Sequence, residues 1–392
     1  MLDLAIKNAR IYTMSGRLEP HPSTSFGIKH GRFAGFDVEE PAKNEVDAAG
    51  KVILPGFIDC HTHAVYAGNR MAEHAKKLTG SSYEDIARSG GGIVSTVKAV
   101  RDASESMLVD ESRPRLQALC FEGVTTVEIK SGYGLDLENE LKMLAAAKQL
   151  GLETDQTIVT TFLGAHTIPP GEERRQYLDE IINFMLPAVR ERKLADTVDI
   201  FVEKIAFDVA DMQRLFEAAL QLGFKLRAHT DQLSNMGATA AAARLGALSC
   251  DHLEYTNKSD FAAMKKSGTI AVLLPGAFYF LNETQKPPVQ QFRNNDIAMA
   301  VASDLNPGSS PVASLLIAMH MACSLFGLTP AEALFGVTRN AARSLGMENE
   351  IGQIAAGRQA DFTIWDIPDP EFLVYQLGGL RPDAVYIKGI RQ

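Results

Sequence analysis

Eight short apolar runs separated by helical stretches dominate the middle of this chain, from residue 55 to residue 345. Amphipathic segments such as Glu138–Leu150, Val209–Leu222 and Ala238–Leu245 lie between the runs. Repeated alternation of strand and helix is typical of a parallel sheet, because each crossover must return the chain to the same end of the sheet. The predicted strands are Gly56–Cys60, Val124–Ile129, Thr157–Leu163, Asp199–Ile205, Lys225–Ala228, Ala247–Cys250, Thr269–Leu274 and Ile297–Ala302.

This number of strand–helix units predicts an α/β fold in which the sheet closes into a TIM-like (β/α)8 barrel. A chain of 392 residues accommodates a barrel of about 250–300 residues and a smaller unit besides. A doubly wound open sheet is the alternative. It is less favoured because no Gly-x-Gly-x-x-Gly turn follows the first predicted strand.

Both ends of the chain contain short strand-like segments bounded by Gly, Pro, Asn and Asp. These segments are Leu4–Tyr12, Ser25–His30, Lys51–Leu54, Ala360–Asp366 and Asp383–Gly389. Neither end is long enough to form a core of its own. We therefore predict a small β-sandwich domain built from residues 1–54 and 346–392, with the barrel of residues 55–345 inserted between its halves. Two unrelated β-extensions are the alternative.

Composition narrows the range of partners and compartments. The net charge of −9 argues against nucleic acid and anionic membranes as general partners, although not against a small anionic substrate. The most apolar stretch, Ile270–Leu281, contains Pro275 and is too short to cross a bilayer, and no secretory signal is evident. The four cysteines lie in apolar contexts without a Cys-x-x-Cys pair. We predict buried thiols and a cytoplasmic protein.

The first predicted strand ends in the sequence His61-Thr62-His63. Side chains two residues apart on a strand point to the same face, so we expect these two imidazoles to converge. Two neutral imidazoles provide half of a zinc-type site. An isolated pair of this kind is more often a pair of ordinary histidines, so its meaning depends on the other strand ends.

Polar residues also end the other predicted strands, and the carboxyl ends of the strands are where a barrel carries its chemistry. The residues at these ends are His61 and His63, Tyr133 after Lys130, His166, Glu203, His229, His252 and Asp304. Five of the nine histidines are among them, and their joint placement at one rim favours a functional site. Taken singly, His166 or His252 could be an ordinary core histidine, and Glu203 a packing carboxylate. The other histidines, His21, His30, His74 and His320, receive no role.

A mononuclear metal hydrolase is the chemistry that suits these residues. One divalent cation would be held by four ligands, with a position left open for a water whose pKa the metal lowers toward neutrality. The predicted ligands are His61, His63, His229 and Asp304. Asp304 would take the water proton as general base and pass it to a leaving nitrogen as general acid, assisted by His252. No lysine ends the fourth strand to bridge a second metal. Zinc is the default metal, and iron suits the same ligands.

The motif Pro-Gly-Phe-Ile-Asp-x-His-x-His at Pro55–His63, with the later histidines and Asp304, resembles the amidohydrolase superfamily. Longer motifs are similar to one family within it, the imidazolonepropionases. These motifs are Gly90–Ile93, Thr125–Leu135, His229–Gly237, Asp251–Glu254, Leu274–Tyr279 and Asp304–Pro311. The similarity extends over most of the chain.

The resemblance implies hydrolysis of 4-imidazolone-5-propanoate to N-formimidoyl-L-glutamate, a step of histidine degradation, by a homodimer. The substrate contacts that it implies are Arg70, Tyr133, His166, Gln232, Asn306, Gly308 and Ser309. The anionic propanoate suits either the Arg70 guanidinium or the amides of the turn at residues 306–309. Two ordinary roles stay open, a surface ion pair for Arg70 and a purely conformational role for Gly308.

Four positions depart from the pattern of that family, and two rival functions remain. The atypical residues are His74, Lys76, Lys77 and Val202, which concern local packing and the loop after the first strand rather than the reaction. One rival is another cyclic amide hydrolase or a nucleobase deaminase, which would share the metal site without needing an anion-binding loop. The remote rival is a non-catalytic barrel, whose signature would be the loss of metal ligands.

Overall fold

The computed structural model of the chain describes residues 1–80 and 91–392, and across these residues seventeen strands form three sheets. Gly90, the first residue of one family motif, lies outside the described residues. The strands are β1 Leu2–Lys7, β2 Arg10–Ile11, β3 Phe26–Lys29, β4 Arg32–Phe36, β5 Ala42–Asp47, β6 Val52–Pro55, β7 Phe57–Asp59, β8 Val124–Lys130, β9 Thr157–Ala165, β10 Thr197–Val202, β11 Lys225–Thr230, β12 Ser249–His252, β13 Ile270–Leu273, β14 Met299–Val301, β15 Phe362–Trp365, β16 Ala384–Ile387 and β17 Ile390–Arg391. The helices are Met71–Leu78, Ile93–Asp102, Glu105–Cys120, Leu137–Glu153, Arg174–Glu180, Leu186–Glu191, Val209–Gln221, Ala238–Arg244, Lys258–Ser267, Pro275–Leu281, Val289–Asn294, Leu315–Met321, Pro330–Gly336, Arg339–Ser344 and Phe372–Tyr375, with π-helical turns at Ile181–Met185 and Ala322–Phe326.

Strands β7 to β14 form one parallel sheet in which each strand pairs with the next along the chain. All eight overlap the predicted runs, so the (β/α)8 prediction is confirmed. The fourth strand differs in its end: β10 stops at Val202, whereas the predicted run continues to Ile205. A turn begins there instead, in which Ala206 N donates to Glu203 O at 2.9 Å.

The barrel closes just beyond the ends of its first and last strands. Asp304 N donates to His61 O at 3.0 Å, and His63 N donates to Leu305 O at 2.9 Å. Thr62 and Leu305 form an isolated parallel bridge at the same place. Backbone hydrogen bonds at this seam therefore bring the two histidines of the first strand alongside the aspartate of the last.

Helices cover the outside of the barrel with one apolar face turned inward. Helix Val209–Gln221 shows why these segments are helical: its buried Met212, Leu215 and Phe216 are spaced by three and one residues, as on one helical face. The Asp208 side chain accepts a backbone N–H in the first turn and so caps the helix. The sequence predicts this helix almost residue for residue.

The two ends of the chain build a pair of sheets that share a core. One sheet has the order β4-β3-β1-β5, and the other has the order β17-β16-β15-β6-β2. In the second sheet β15, near the C-terminus, pairs antiparallel with β6. The rings of Phe26 and Phe33, from the first sheet, lie 5.3 and 6.2 Å from the ring of Phe362 in the second. The predicted sandwich built from both termini is confirmed, while its boundaries at residues 54 and 346 stay a prediction.

Two residues determine where the chain passes between sheets. The predicted strand Leu4–Tyr12 is divided at Asn8, which has a left-handed backbone with φ of 53°, so that β1 and β2 belong to different sheets. Asparagine tolerates this conformation, which most residues avoid. The chain then enters the barrel through Gly56, where a Cβ would lie only 2.2 Å from Thr125 Oγ1. Glycine is therefore required at this crossing.

The cysteines are less uniformly buried than predicted. Cys60 and Cys250 are buried, but Cys120 and Cys323 are partly exposed, so the prediction is wrong for two of the four. Cys120 ends an outer helix, and Cys323 lies in an outer π-helical turn.

In the described part of the chain, we find no helix with the length and apolar character needed to cross a membrane.

Candidate metal centre and cavity

Three imidazoles converge at the carboxyl end of the barrel. His61 and His63 follow β7, His229 lies in β11, and their ligand atoms are within 4.8 Å of one another. The ring centroids of His61 and His63 are 5.5 Å apart, as expected for side chains on one face. Asp304 joins them through Oδ1, which lies 3.4 Å from His61 Nε2 and 3.6 Å from His63 Nε2. The four predicted metal ligands are thus brought together.

The nitrogen atoms of this cluster fit a metal ion. His61 Nε2 and His229 Nε2 are buried and have no hydrogen-bond partner among the described residues. Leaving a buried polar atom without a partner costs about 1–3 kcal/mol, so such atoms are rare. Burial lowers the pKa of His61 and of His63 well below the ordinary value, so both rings are neutral at pH 7. A cation that accepts their lone pairs would satisfy these orphaned atoms.

Two buried carboxylates orient two of the clustered imidazole rings. Asp251 Oδ2 lies 2.6 Å from His61 Nδ1, and Asp199 Oδ1 lies 3.1 Å from His229 Nδ1. Each Nδ1–H donates to its carboxylate, which leaves the Nε2 lone pair of the same ring free for a metal. The tautomer and the orientation of both rings are therefore determined by residues deeper in the barrel.

These two carboxylates belong to a buried ionic network that sequence analysis missed. Lys130 Nζ lies 2.9 Å from Glu128 Oε1 and 2.8 Å from Asp199 Oδ2. Arg227 Nη2 lies 3.0 Å from Asp251 Oδ2. Burial alone would raise the pKa of Asp251, but Arg227 and Lys130 outweigh it and hold that pKa below its usual value. The carboxylates beneath the histidines are therefore ionised.

The charge of this network also suits a divalent cation. Its three carboxylates and two cations leave one negative charge uncompensated, and an ionised Asp304 adds a second. Burial raises the pKa of the Asp304 carboxyl well above its usual value. A cation beside Asp304 would oppose that shift and favour the carboxylate. A doubly positive ion at the histidines would neutralise both charges.

His252 approaches the cluster from a strained backbone. It is the last residue of β12 and has φ of 81°, and Leu253 after it has φ of 74°. Such values are uncommon outside glycine and often mark functional sites. The ring centroid of His252 is 5.5 Å from that of His229. Burial lowers the pKa of His252 to about 3, so it presents a neutral imidazole to the cavity.

A single cavity of about 450 Å³ contains the cluster and the predicted substrate contacts. From the cluster side it is lined by His63, His229, His252 and Asp304, whereas His61 lies buried beneath it. All of the predicted contacts line the same cavity, namely Arg70, Tyr133, His166, Gln232, Asn306, Gly308 and Ser309. The volume is in the range of small-molecule sites.

Aromatic stacking positions one wall of the cavity. The ring of His166 stacks on that of His63, with centroids 5.2 Å apart and an interplanar angle of 18°. His166 Nδ1 lies 2.9 Å from Gly132 O, to which it donates, and the ring of Tyr133 lies 5.5 Å from it. Burial lowers the pKa of His166 to about 4. A neutral imidazole and a phenol therefore lie next to the histidine cluster.

Arg70 and Gly308 meet in the wall of the cavity. Arg70 Nε lies 3.1 Å from Glu73 Oε2, and the Arg70 side chain is 17% exposed. Arg70 therefore forms an ion pair, as the alternative to substrate binding predicts, but this ion pair lies in the cavity wall rather than on the outer surface. A Cβ on Gly308 would lie 2.0 Å from Arg70 Nη1, so Gly308 makes room for the guanidinium.

The turn after the last strand of the barrel is stabilised by hydrogen bonds within the turn. Asn306 Oδ1 accepts from Gly308 N at 2.8 Å and from Ser309 N at 2.7 Å. Each N–H has one hydrogen to donate, so these two amides are already engaged. The turn amides are therefore less available to an anionic ligand than the Arg70 guanidinium is.

His74 and Lys77, which were assigned only to loop packing, also line the cavity. The ring of His74 stacks on that of Phe280, with centroids 4.5 Å apart and an interplanar angle of 21°. This contact joins the helix after the first strand to helix Pro275–Leu281. Two of the four atypical residues therefore shape the cavity, which no strand-end signal reveals.

A parallel barrel with a histidine cluster at its carboxyl rim is the arrangement expected of a metal-dependent hydrolase. The sequence pattern of the amidohydrolase family matches residues 52–391, so the chain belongs to that family. A solved structure with a similar fold is an adenosine deaminase from Xanthomonas campestris with bound zinc. It has a TM-score of 0.74 at 16% identity and covers 100% of this chain and 92% of its own.

Closer relatives narrow the assignment within the family. An imidazolonepropionase from Bradyrhizobium diazoefficiens is 54% identical over 382 residues, which is 95% of each chain. One from Legionella pneumophila (strain Corby) is 53% identical over 388 residues, covering 98% of this chain and 94% of its own. The chain therefore falls among the imidazolonepropionases, which confirms the family named from the sequence motifs.

Proposed function

We propose that the chain hydrolyses 4-imidazolone-5-propanoate to N-formimidoyl-L-glutamate. The proposal rests on one observation, a small cavity that is lined both by the histidine cluster and by the partly buried guanidinium of Arg70. The ring to be opened needs the first feature, and the anionic propanoate needs the second. One water is added across a ring C–N bond. Its oxygen completes a new carboxylate, one of its protons passes by way of Asp304 to the leaving nitrogen, and the other is released as the new carboxyl group ionises.

We propose His61, His63, His229 and Asp304 as the ligands of one divalent cation. Zinc is the first choice, and iron fits the same ligands. When bound, such an ion supplies activated water at neutral pH. The carboxylates below the cluster keep His61 and His229 oriented toward it, and the neutral state of the rings makes them available as ligands.

Asp304 and His252 are the residues that handle protons in this proposal. Asp304 Oδ1 faces His61 and His63, so it can take a proton from water held at the cluster and return it to the departing nitrogen. His252, neutral and aimed into the cavity, donates to the oxygen on which negative charge develops. Its strained turn keeps this donor in place before substrate arrives.

The remaining cavity residues hold the substrate. Arg70 binds the propanoate, while Tyr133, His166 and Gln232 donate to and accept from the polar ring. The turn containing Asn306, Gly308 and Ser309 closes the side next to Arg70. A cytoplasmic homodimer completes the proposal, and size-exclusion chromatography with light scattering tests the oligomeric state.

Ring opening of imidazolone propanoate, followed by ultraviolet absorbance with metal analysis of the same sample, tests the function. We expect turnover, stoichiometric metal, and loss of activity on chelation that zinc restores. Guanine and cytosine serve as competing substrates, since a nucleobase deaminase would act on them instead. Turnover that survives complete removal of metal would contradict the proposal.

A further inference from the structure

Glu203 is a buried carboxylate at the rim for which sequence analysis found no definite role. It follows β10 directly and is 2% exposed. Its backbone is held by a turn in which Glu203 N donates to Phe207 O at 3.1 Å and Ala206 N donates to Glu203 O at 2.9 Å. The side chain therefore projects from a rigid base.

The side chain of Glu203 reaches the loop that follows the next strand. Its Oε1 accepts from Leu233 N at 2.8 Å and from Ser234 N at 2.9 Å, and its Oε2 accepts from Ser234 Oγ at 2.7 Å. Among the described residues, no lysine or arginine forms an ion pair with Glu203. These charge-assisted hydrogen bonds are therefore its main compensation, and they tie the loop firmly to β10.

The loop held in this way carries a predicted substrate contact. Gln232 immediately precedes Leu233, and both line the cavity. Glu203 itself does not line the cavity, and both of its oxygens are engaged by the loop. A role in proton transfer is therefore unsuitable for Glu203, whereas a role through its neighbour fits the contacts.

We propose that Glu203 is a positioning residue that fixes the loop at residues 231–236, so that the Gln232 amide meets the substrate ring in a set orientation. The inference rests on the proposed function for the identity of the ring. The hydrogen bonds between Glu203 and the loop do not depend on that function. A reactive geometry is sensitive to displacements near 1 Å, which can reduce turnover by about 100-fold. Loss of the hydrogen bonds between Glu203 and the loop permits displacements of that size.

Four variants test the inference. Glu203→Ala removes both acceptor oxygens and with them all three hydrogen bonds to the loop, and we expect kcat/KM to fall by about 10- to 100-fold. Glu203→Gln keeps an amide oxygen for the two backbone N–H groups and should restore most of the activity. Gln232→Ala removes the residue that is positioned. Glu217→Ala, an exposed carboxylate on helix Val209–Gln221, is the matched control and should leave activity unchanged.

Two readouts separate positioning from a general structural role. In a double-mutant cycle, Glu203→Ala should add little once Gln232 is already alanine, with metal content unchanged. Hydrogen exchange of the peptide spanning residues 230–237 should rise in Glu203→Ala and not in the control. Additive losses in the cycle, or unchanged exchange, would overturn the inference. If the wild-type protein does not open imidazolone propanoate, the proposed function fails, and the exchange measurement still decides whether Glu203 holds the loop.

Discussion

The space beside Gly308 determines where the guanidinium of Arg70 lies, so Gly308→Ala tests the proposed anion site. The added Cβ would lie 2.0 Å from Arg70 Nη1, whereas an ordinary contact begins at 3.4 Å. The Nη end must therefore move by about 1.4 Å. Arg70 Nε is held by Glu73 at 3.1 Å, so the movement falls on the end that would bind the propanoate. The displaced group is the end of a flexible side chain, and we expect the fold to persist.

The expected effect follows from the lost hydrogen bonds. A hydrogen bond to a charged group contributes about 1.5–3 kcal/mol, and each 1.4 kcal/mol is a factor of about ten in affinity. We therefore expect KM to rise by about 10- to 150-fold. The value of kcat should change less, because the propanoate is held similarly in the ground state and in the transition state.

Initial rates of ring opening over a range of substrate concentrations measure this effect. Gly16→Ala is the matched control, since a Cβ there meets no atom within 4 Å and its φ is not left-handed. Arg70→Ala should resemble Gly308→Ala, and the double variant should be little worse than either single one. A Gly308→Ala enzyme with the wild-type KM, or additive losses in the double variant, would refute the reasoning.

Three further predictions concern the cluster and its supports. Asp304→Asn should retain metal but lower kcat by about 100- to 10,000-fold, measured by metal analysis and initial rates; a fully active variant would exclude Asp304 as proton carrier. Asp199→Asn removes the carboxylate behind His229 and should weaken metal binding by about 10- to 100-fold in competition with a chelator; unchanged affinity would contradict the orienting role. Glu140 accepts three backbone N–H groups around Tyr133 at 2.8–3.0 Å, so Glu140→Gln should raise KM, with thermal unfolding as the check on folding.

Strand register alone is sufficient to predict the metal ligands. Barrel geometry places the carboxyl end of every strand at one rim, so residues distant in sequence meet there without any knowledge of the loops. His229 and Asp304 are predicted from the sequence to join His61 and His63 for this reason. The same register places Glu128 with Lys130, and Arg227 with His229, on inward faces of their strands. The ionic network was therefore within reach of sequence analysis, which considered only the ends of the strands.

The residues that hold the substrate loops follow no comparable rule. Glu203 reaches the loop after the next strand, Glu140 reaches the loop before its own helix, and Asn306 reaches the turn that contains it. In each case a side-chain oxygen accepts successive backbone N–H groups, and which ones it reaches depends on the loop conformation. Neither apolar period nor residue spacing encodes that conformation. Because such bonds preorganise a site before substrate binds, we expect their loss to lower turnover even where the residue does not touch the substrate. Strand register therefore predicts the metal ligands of a barrel, whereas it does not predict the residues that position the substrate.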